Sequence, residues 1–201
     1  MLYVSYYTKE TPYKEVMDTY LLPSLKKWDL PYRICSVPNL GNWNLNTKFK
    51  AEFLLMMFEL YKQDLIFLDA DATIEADPVL FNQLPSKTHI AAHLLDWGLH
   101  WQGKSTNRLD LLSGTMFFKY CPLMIEITKE YIQKVKESPQ WEQKTLQAIV
   151  DNHKELNFYN LPPHYCAIQK RNGEVAPYME PPIILHHQVS RQLKSKVNKR
   201  K

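Results

Sequence analysis

Asp64-Leu65-Ile66-Phe67-Leu68-Asp69-Ala70-Asp71-Ala72-Thr73 is an apolar run of strand length that ends in two carboxylates with one residue between them. A continuous apolar run without polar alternation marks a strand buried on both faces, the centre of an α/β sheet. Carboxylates seldom stand at the end of such a strand unless a cation meets them. In open α/β sheets, ligands bind just beyond the carboxyl ends of the strands. Side chains at i and i+2 of an extended segment point the same way, so Asp69 and Asp71 can converge on one divalent cation. The bland alternative is that they cap the next turn. It is weakened by Asp77-Pro78, which supplies an N-cap and first-turn pair of its own.

Upstream of this stretch, Leu2 to Tyr7 reads as a strand, Tyr13 to Lys27 as a helix and Tyr32 to Val37 as a second strand. Pro38 to Asn46 is a loop, and Thr47 can cap a helix that keeps Phe49, Phe53, Met56 and Leu60 on one face. The β-α-β-α-β order predicts a parallel sheet with right-handed crossovers. Downstream, His89 to Leu95 and Leu111 to Tyr120 are strand-like, and Trp97 to Leu109 reads as a functional loop. Leu123 to Lys136 and Glu142 to Asp151 are helical, and Leu156 to Asn160 and Ile183 to His186 are short strands.

The chain has 201 residues, enough for one substantial domain, and 45% of them are apolar. No apolar run reaches the ~20 residues that span a bilayer. The N-terminus lacks a signal-peptide pattern, so a cytoplasmic location is expected. Cys35, Cys121 and Cys166 are widely spaced and fit reduced, buried thiols. Much of the net charge of +4 sits in Arg191, Lys194, Lys196, Lys199, Arg200 and Lys201. The end of this tail reads as solvated, with peripheral contact to an anionic membrane surface as its functional alternative, and the part near Arg191 reads as phosphate-binding. The near-neutral body has no recognition motif for nucleic acid.

Two aspartates alone hold a metal loosely, so a third ligand is expected from elsewhere. Ile183-Ile184-Leu185-His186-His187 is a second apolar strand, ending in adjacent histidines, with Arg191 and Lys194 following. Adjacent strand residues face opposite ways, so one of His186 and His187 is expected to ligate.

With these parts in place, the chain resembles the GT-A glycosyltransferases, nucleotide-sugar-dependent enzymes with an Asp-X-Asp motif, over most of its length. Val4-Ser5-Tyr6-Tyr7-Thr8 is similar to their first strand and nucleotide-binding turn, and Lys50 to a lysine facing the donor phosphates. Phe67-Leu68-Asp69-Ala70-Asp71 resembles the metal motif. Leu112-Ser113-Gly114-Thr115-Met116-Phe117-Phe118 resembles the turn and strand beside the donor sugar, although Ser-Gly-Thr stands where Asn-Ala-Gly is common. Trp141-Glu142-Gln143 resembles a catalytic Asp-Gln pair, with Glu in place of Asp. His186 to Lys194 resembles the C-terminal His and its basic residue, without the Gly and Lys-Pro-Trp usual there.

The resemblance implies an α/β fold of GT-A type, Rossmann-like, with a mostly parallel central sheet flanked by helices in one minimal-length domain. Residues 1–95 would form the nucleotide-binding half, 96–190 the acceptor and catalytic half, and 191–201 a basic tail. It implies sugar transfer from a nucleotide-diphosphate sugar, a UDP-sugar by preference, to a hydroxyl of a glycan or other acceptor. Glu142 and Gln143 would be catalytic. Ser5, Tyr6, Tyr7, Thr8, Lys50, Asp69, Ala70, Ser113, Gly114, Thr115, Arg191 and Lys194 would bind the donor. Asp96, Trp97 and Trp101 would meet the acceptor. Asp69, Asp71 and His186 or His187 would hold manganese, or magnesium in its place; carboxylate, imidazole and phosphate oxygen without thiolate favour these over zinc. An inverting enzyme would use Glu142 as general base on the acceptor hydroxyl, whereas a retaining one would place Gln143 beneath the donor sugar; the likeness of the Glu142-Gln143 pair to retaining members tilts the expectation slightly toward retention.

Two other readings compete. Asp69-Ala70-Asp71-Ala72-Thr73 also fits the motif of haloacid-dehalogenase-like phosphatases, with Asp69 as nucleophile and Asp71 as general acid. That motif usually follows the first strand, however, and no late acidic pair exists here, since Asp151 is the last Asp of the chain. A non-catalytic sugar-nucleotide or carbohydrate-binding module is the third reading.

Overall fold

In chain order the elements are β1 (Leu2–Thr8), α1 (Tyr13–Thr19), α2 (Leu21–Lys27), β2 (Tyr32–Val37), α3 (Trp43–Tyr61), β3 (Leu65–Leu68) and β4 (Ala72–Ile74). They continue with β5 (Ile90–Asp96), α4 (Trp97–Gln102), β6 (Leu109–Phe118), α5 (Pro122–Glu137) and α6 (Glu142–Asn152). The last are β7 (Phe158–Asn160), β8 (Ala167–Ile168), β9 (Ile184–His186) and α7 (Ser190–Asn198). The computed structural model describes residues 1–198; Lys199, Arg200 and Lys201 of the expected basic tail lie outside the described residues. Among the described residues no helix is long and apolar enough to cross a membrane.

Six strands form the main sheet in the order β2-β1-β3-β6-β5-β7. β2, β1 and β3 are parallel, β6 is antiparallel to both β3 and β5, and β7 is parallel to β5. The sheet is therefore mostly parallel, with β6 reversed against the other five. All four residues of β3 are buried, as the unbroken apolar run requires. Their alternation feeds two cores: Leu65 and Phe67 pack with α3, α5 and α6, while Ile66 and Leu68 pack with α1 and α2 on the other face. A small second sheet, β4-β9-β8, stands at the carboxyl end of β3. Of its strands only β9 is legible in the sequence; β4 and β8, of three and two residues, leave too short a pattern to read.

Several local expectations are corrected. The helix expected over residues 13–27 breaks at Tyr20, because Pro23 has no N–H to offer the carbonyl of Thr19 and its ring crowds that group. α3 begins earlier than Thr47, with the Asn42 side chain accepting from Leu45 N at 2.9 Å. Its buried face carries Asn46, Lys50, Phe53, Leu54, Met57 and Phe58, whereas Met56 and Leu60 are exposed. Two polar residues occupy the inward face, which shifted the apparent apolar stripe. The stretch 97–109 is partly helical, because the Asp96 carboxylate accepts from Gly98 N and Leu99 N and starts α4. Asp77 makes no side-chain cap; the short 3₁₀ turn Val79–Asn82 follows Pro78 without one.

Candidate active site

The carboxyl end of β3, the turn within β6 and the end of β9 meet at one place. Asp69 N–H donates to Gly114 O at 2.9 Å, which ties the Asp-Ala-Asp turn to β6. β4 then pairs with β9 so that Ala72 stands opposite His186. Ligand atoms of Asp69, Asp71 and His186 all lie within 4.8 Å of one another. His186 Nε2 meets Thr115 Oγ1 at 2.8 Å, which leaves Nδ1 on the side of Asp71 Oδ1, 3.8 Å away. With Nε2 engaged by Thr115, Nδ1 is the ring nitrogen that faces the aspartates. Gly114 seats this ring: a Cβ there would stand 2.7 Å from His186 Cε1.

His187 does not join the group. Its Nε2 meets Thr73 Oγ1 at 3.1 Å, its Nδ1 meets Gln169 Oε1 at 2.9 Å, and the ring stacks on Tyr20. Of the two histidines, His186 is the one that stands with the aspartates.

A buried cation stands behind Asp69. Lys50 Nζ is 2.8 Å from Glu142 Oε1, 2.9 Å from Ser113 O, 3.1 Å from Ser113 Oγ and 3.2 Å from Asp69 Oδ1. Burial opposes its charge, but Asp69 and Glu142 outweigh burial and hold it above the ordinary lysine value. Glu142 is itself buried and accepts from Ser113 Oγ at 2.8 Å, and Gln143 Oε1 accepts from Ser113 N at 3.3 Å. Lys50 thus orients Asp69 and Glu142 together.

The two aspartates titrate apart. Burial pushes Asp69 up, more than Lys50 pulls it down, and Asp71 adds to the rise. For Asp71, burial is overcome by the facing His186 and by the N–H of Val189, which donates to Oδ2 at 2.8 Å, so it stays below the usual carboxylate range. His186 is raised to about 10: burial opposes its charge, but Cys166 and Asp71 more than compensate. The set of two carboxylates and one imidazole at the rim of a cleft fits a hard divalent cation.

The cleft beside this group is lined by Tyr6, Tyr7, Thr8, Ala70, Asp69 and Asp71 from the expected residues. Ser5 is not among them; its buried hydroxyl donates to Leu68 O at 2.6 Å and joins β1 to β3. Tyr13, Trp43, Asn46, Gln188 and Ser190 also line the cleft and were missed. The Tyr13 hydroxyl is buried there without a protein partner. The signal for Trp43 and Asn46 was present in the Asn-rich loop after β2, at the ligand edge of a parallel strand.

The remaining expected residues lie at the rim. Asp96 is engaged as the α4 cap, and Trp97 Nε1 donates to Asp110 Oδ2 at 2.5 Å. Trp101 is half exposed and stacks parallel to Trp97. Arg191 and Lys194 diverge: the Arg191 guanidinium stands 6.0 Å from the Trp101 ring centre, and Lys194 Nζ lies 4.3 Å from Trp43 and 5.4 Å from Trp141. α7 is anchored by Leu193 and Val197, both buried, and by Asn198 Oδ1, which accepts from Trp43 N at 2.8 Å.

No family model matches the chain, and no curated protein matches it in sequence. Solved structures do match in fold. A glycosyltransferase involved in the glycosylation of the major capsid of PBCV-1 superposes with a TM-score of 0.67 at 15% identity, covering 98% of this chain and 97% of that one. Mouse xyloside xylosyltransferase 1 in its apo form gives 0.58 at 12% identity, covering 92% and 96%. The galactosyltransferase LgtC in complex with donor and acceptor sugar analogs gives 0.53 at 9% identity, covering 94% and 87%. At these identities the likeness is one of fold, and the fold is that of the GT-A glycosyltransferases.

Proposed function

We propose that this chain is a metal-dependent glycosyltransferase, moving a sugar from a nucleotide-diphosphate sugar to a hydroxyl of a glycan or other acceptor. The observation that carries the reading is the convergence of Asp69, Asp71 and His186 at the ligand edge of the sheet, beside an aromatic cleft. The nucleotide would lie in that cleft among Tyr6, Tyr7, Thr8, Tyr13 and Trp43. The preferred base is uracil and the preferred metal manganese. A divalent cation held by Asp69, Asp71 and His186 would neutralise charge developing on the leaving diphosphate.

Ser113, Gly114 and Thr115 would flank the donor sugar while fixing Lys50 and His186 from behind. Glu142 and Gln143 are the proposed catalytic pair. Glu142 is held by Lys50 and Ser113, so it would act as a fixed negative charge near the anomeric carbon rather than as a free base. That favours retention. The bond from the anomeric carbon to the diphosphate oxygen breaks, the acceptor oxygen bonds on the same face, and its proton passes to the departing phosphate oxygen. The phosphatase reading loses ground, because β3 is the third strand of the chain and Lys50 stands against Asp69 where a nucleophile would need freedom.

The test is a thermal-shift screen of nucleoside diphosphates and nucleotide-sugars with and without manganese. A ligand that binds only the folded form at ~100 times its dissociation constant adds ~2.7 kcal/mol of stability. A manganese-dependent shift with UDP is expected, and Asp71→Ala should abolish it. A UDP shift that persists in EDTA overturns the metal role. NMR of the product's anomeric configuration decides between retention and inversion.

A further inference from the structure

Beyond Gln188 and Ser190, which line the cleft, the chain builds a second ligand-sized surface. Arg191 lines an open shelf with Trp101, Lys170, Arg171 and Asn172. The shelf offers about 570 Å³ of space, within the ~300–1,000 Å³ usual for small-molecule sites. A groove lined by His187, Gln188, Lys170, Arg171 and Arg191 connects it to the cleft, since Gln188 borders both.

One side of the shelf is aromatic. The Trp101 and Trp97 rings are parallel within 3°, their centroids 6.3 Å apart, and His100 packs edge-on against Trp101 at 4.7 Å. Trp101 is 53% exposed, so part of its ring is open to a ligand. His100 is buried, its Nδ1 meets Tyr178 Oη at 3.0 Å, and its Nε2 has no protein partner.

The other side is cationic and unneutralised. Lys170 and Arg171 stand in the turn closed by the Gln169–Val175 bridge, and Arg191 is on α7. Among the described residues none of the three has a carboxylate within 4.0 Å. Glu174, the one acid of that turn, is engaged by Asn172 Nδ2 at 2.8 Å. Burial first, and then the repulsion of Arg171, pulls the Arg191 guanidinium below its ordinary value, more than the distant Asp71 carboxylate raises it. Three clustered cations that repel one another are relieved by an anion, and guanidinium matches carboxylate and phosphate geometry best.

We propose that this shelf is the acceptor subsite and that it selects an acceptor sugar bearing an anionic group, a carboxylate or a phosphate. The assignment to an acceptor rests on the transferase reading above; the anion preference rests on the shelf alone. The apolar face of the sugar packs on Trp101, and its anionic substituent meets Lys170, Arg171 and Arg191.

The experiment titrates the full chain with 4-nitrophenyl β-glucuronide, glucose 6-phosphate and the neutral methyl β-glucoside, read by NMR at the Trp101 indole N–H. Both charged probes should bind at least tenfold more tightly than the neutral one, and the stronger of the two identifies the anion. Lys170→Gln/Arg171→Gln, at surface positions, should erase that preference while leaving the manganese-dependent UDP shift intact. Equal binding of the charged and neutral probes, or an unaltered preference in the double variant, overturns the proposal. So does displacement of the charged probes by UDP with manganese, which would make the shelf part of the donor site. Anion preference without any manganese-dependent UDP shift sinks the transferase reading, and the acceptor role with it, while sustaining an anionic-sugar site.

Discussion

Behind Asp69, Lys50 Nζ meets four oxygens within 3.2 Å and is closed to solvent, whereas Lys170, Arg171 and Arg191 around Trp101 meet no carboxylate among the described residues. Both regions hold cations, one behind Asp69 and one on a shelf joined to the cleft by a groove at Gln188, yet their charges are set differently. The inner charge is compensated within the fold and holds two carboxylates in place. The outer charges remain for a ligand to compensate. The inner region is therefore stiff and coupled to folding, while the outer one governs affinity and carries little stability.

The sharpest way to break this comparison is Lys50→Met. It leaves Glu142 buried beside Asp69 without a cation, and losing one partner of a buried ion pair costs about 3–5 kcal/mol. Urea unfolding of the variant should show that loss, and adding Glu142→Leu should restore part of it. A loss below ~1 kcal/mol would mean that the inner region is no stiffer than an exposed pair. Lys170→Gln, by contrast, should leave the unfolding midpoint unchanged.

Gly114→Ala comes next. The new Cβ would meet His186 Cε1 at 2.7 Å, so the ring must leave its place between Thr115 and Asp71. Displacing a ligand that outer-shell contacts orient costs about 10–100-fold in metal affinity. Manganese titration by calorimetry in the presence of UDP measures it. Unchanged affinity would show that His186 does not ligate.

How much of this was legible from the chain differs between the two regions. The Asp69–Asp71 pair could be read directly, since the unbroken apolar run fixes both the strand and its end. The choice between His186 and His187 was legible only as a parity question, because the answer depends on a three-residue strand in a sheet with no sequence pattern of its own. The partnership of Lys50, Ser113 and Glu142 joins residues 29 to 92 positions apart (113 to 142, 50 to 142), and nothing local announces it. Lys50 even misled the reading of α3, since a buried lysine breaks the apolar stripe. The shelf was half visible: Trp97, Trp101 and Arg191 stood out as residue types, but Lys170 and Arg171 looked like an ordinary surface turn. The break at Pro23 was legible and was missed.

Proton competition sharpens the comparison further. His186 is raised from the ordinary imidazole value of 6.5 to about 10. A raised value means that the folded state binds the proton more tightly. The stabilisation is then complete below about pH 6.5 and is lost as pH rises through about 10 in the metal-free protein. A metal needs the neutral ring, so manganese must displace that proton, and its affinity should rise up to ~10-fold per pH unit across the same window. Calorimetry in two buffers of different ionisation enthalpy counts the proton released. No release would remove His186 from the ligand set.

The smallest expected effect belongs to Lys194, which stands at the rim yet touches the cleft's own wall. Its Nζ lies over both Trp43 and Trp141, whose rings meet edge to face at 6.4 Å. Trp141 is 55% exposed and Trp43 lines the cleft, so this contact draws the C-terminal helix toward the start of α3. A cation over an indole near the surface, as half-buried Lys194 is, contributes about 0.5–1 kcal/mol. Lys194→Gln keeps a polar, hydrogen-bonding side chain but removes the charge. If Lys194 acts by closing α7 over bound nucleotide, UDP affinity should fall about two- to fivefold, the equivalent of that energy, and the unfolding midpoint without ligand should fall by a similar small energy. If it contacts the diphosphate itself, affinity should fall by more than tenfold with no change in unligated stability, because the loss then resides entirely in the complex. Titration of UDP with manganese beside urea unfolding of the unligated variant separates the two. The larger loss would move Lys194 from the rim, where charge only assists, to the set of groups that bind the leaving phosphates.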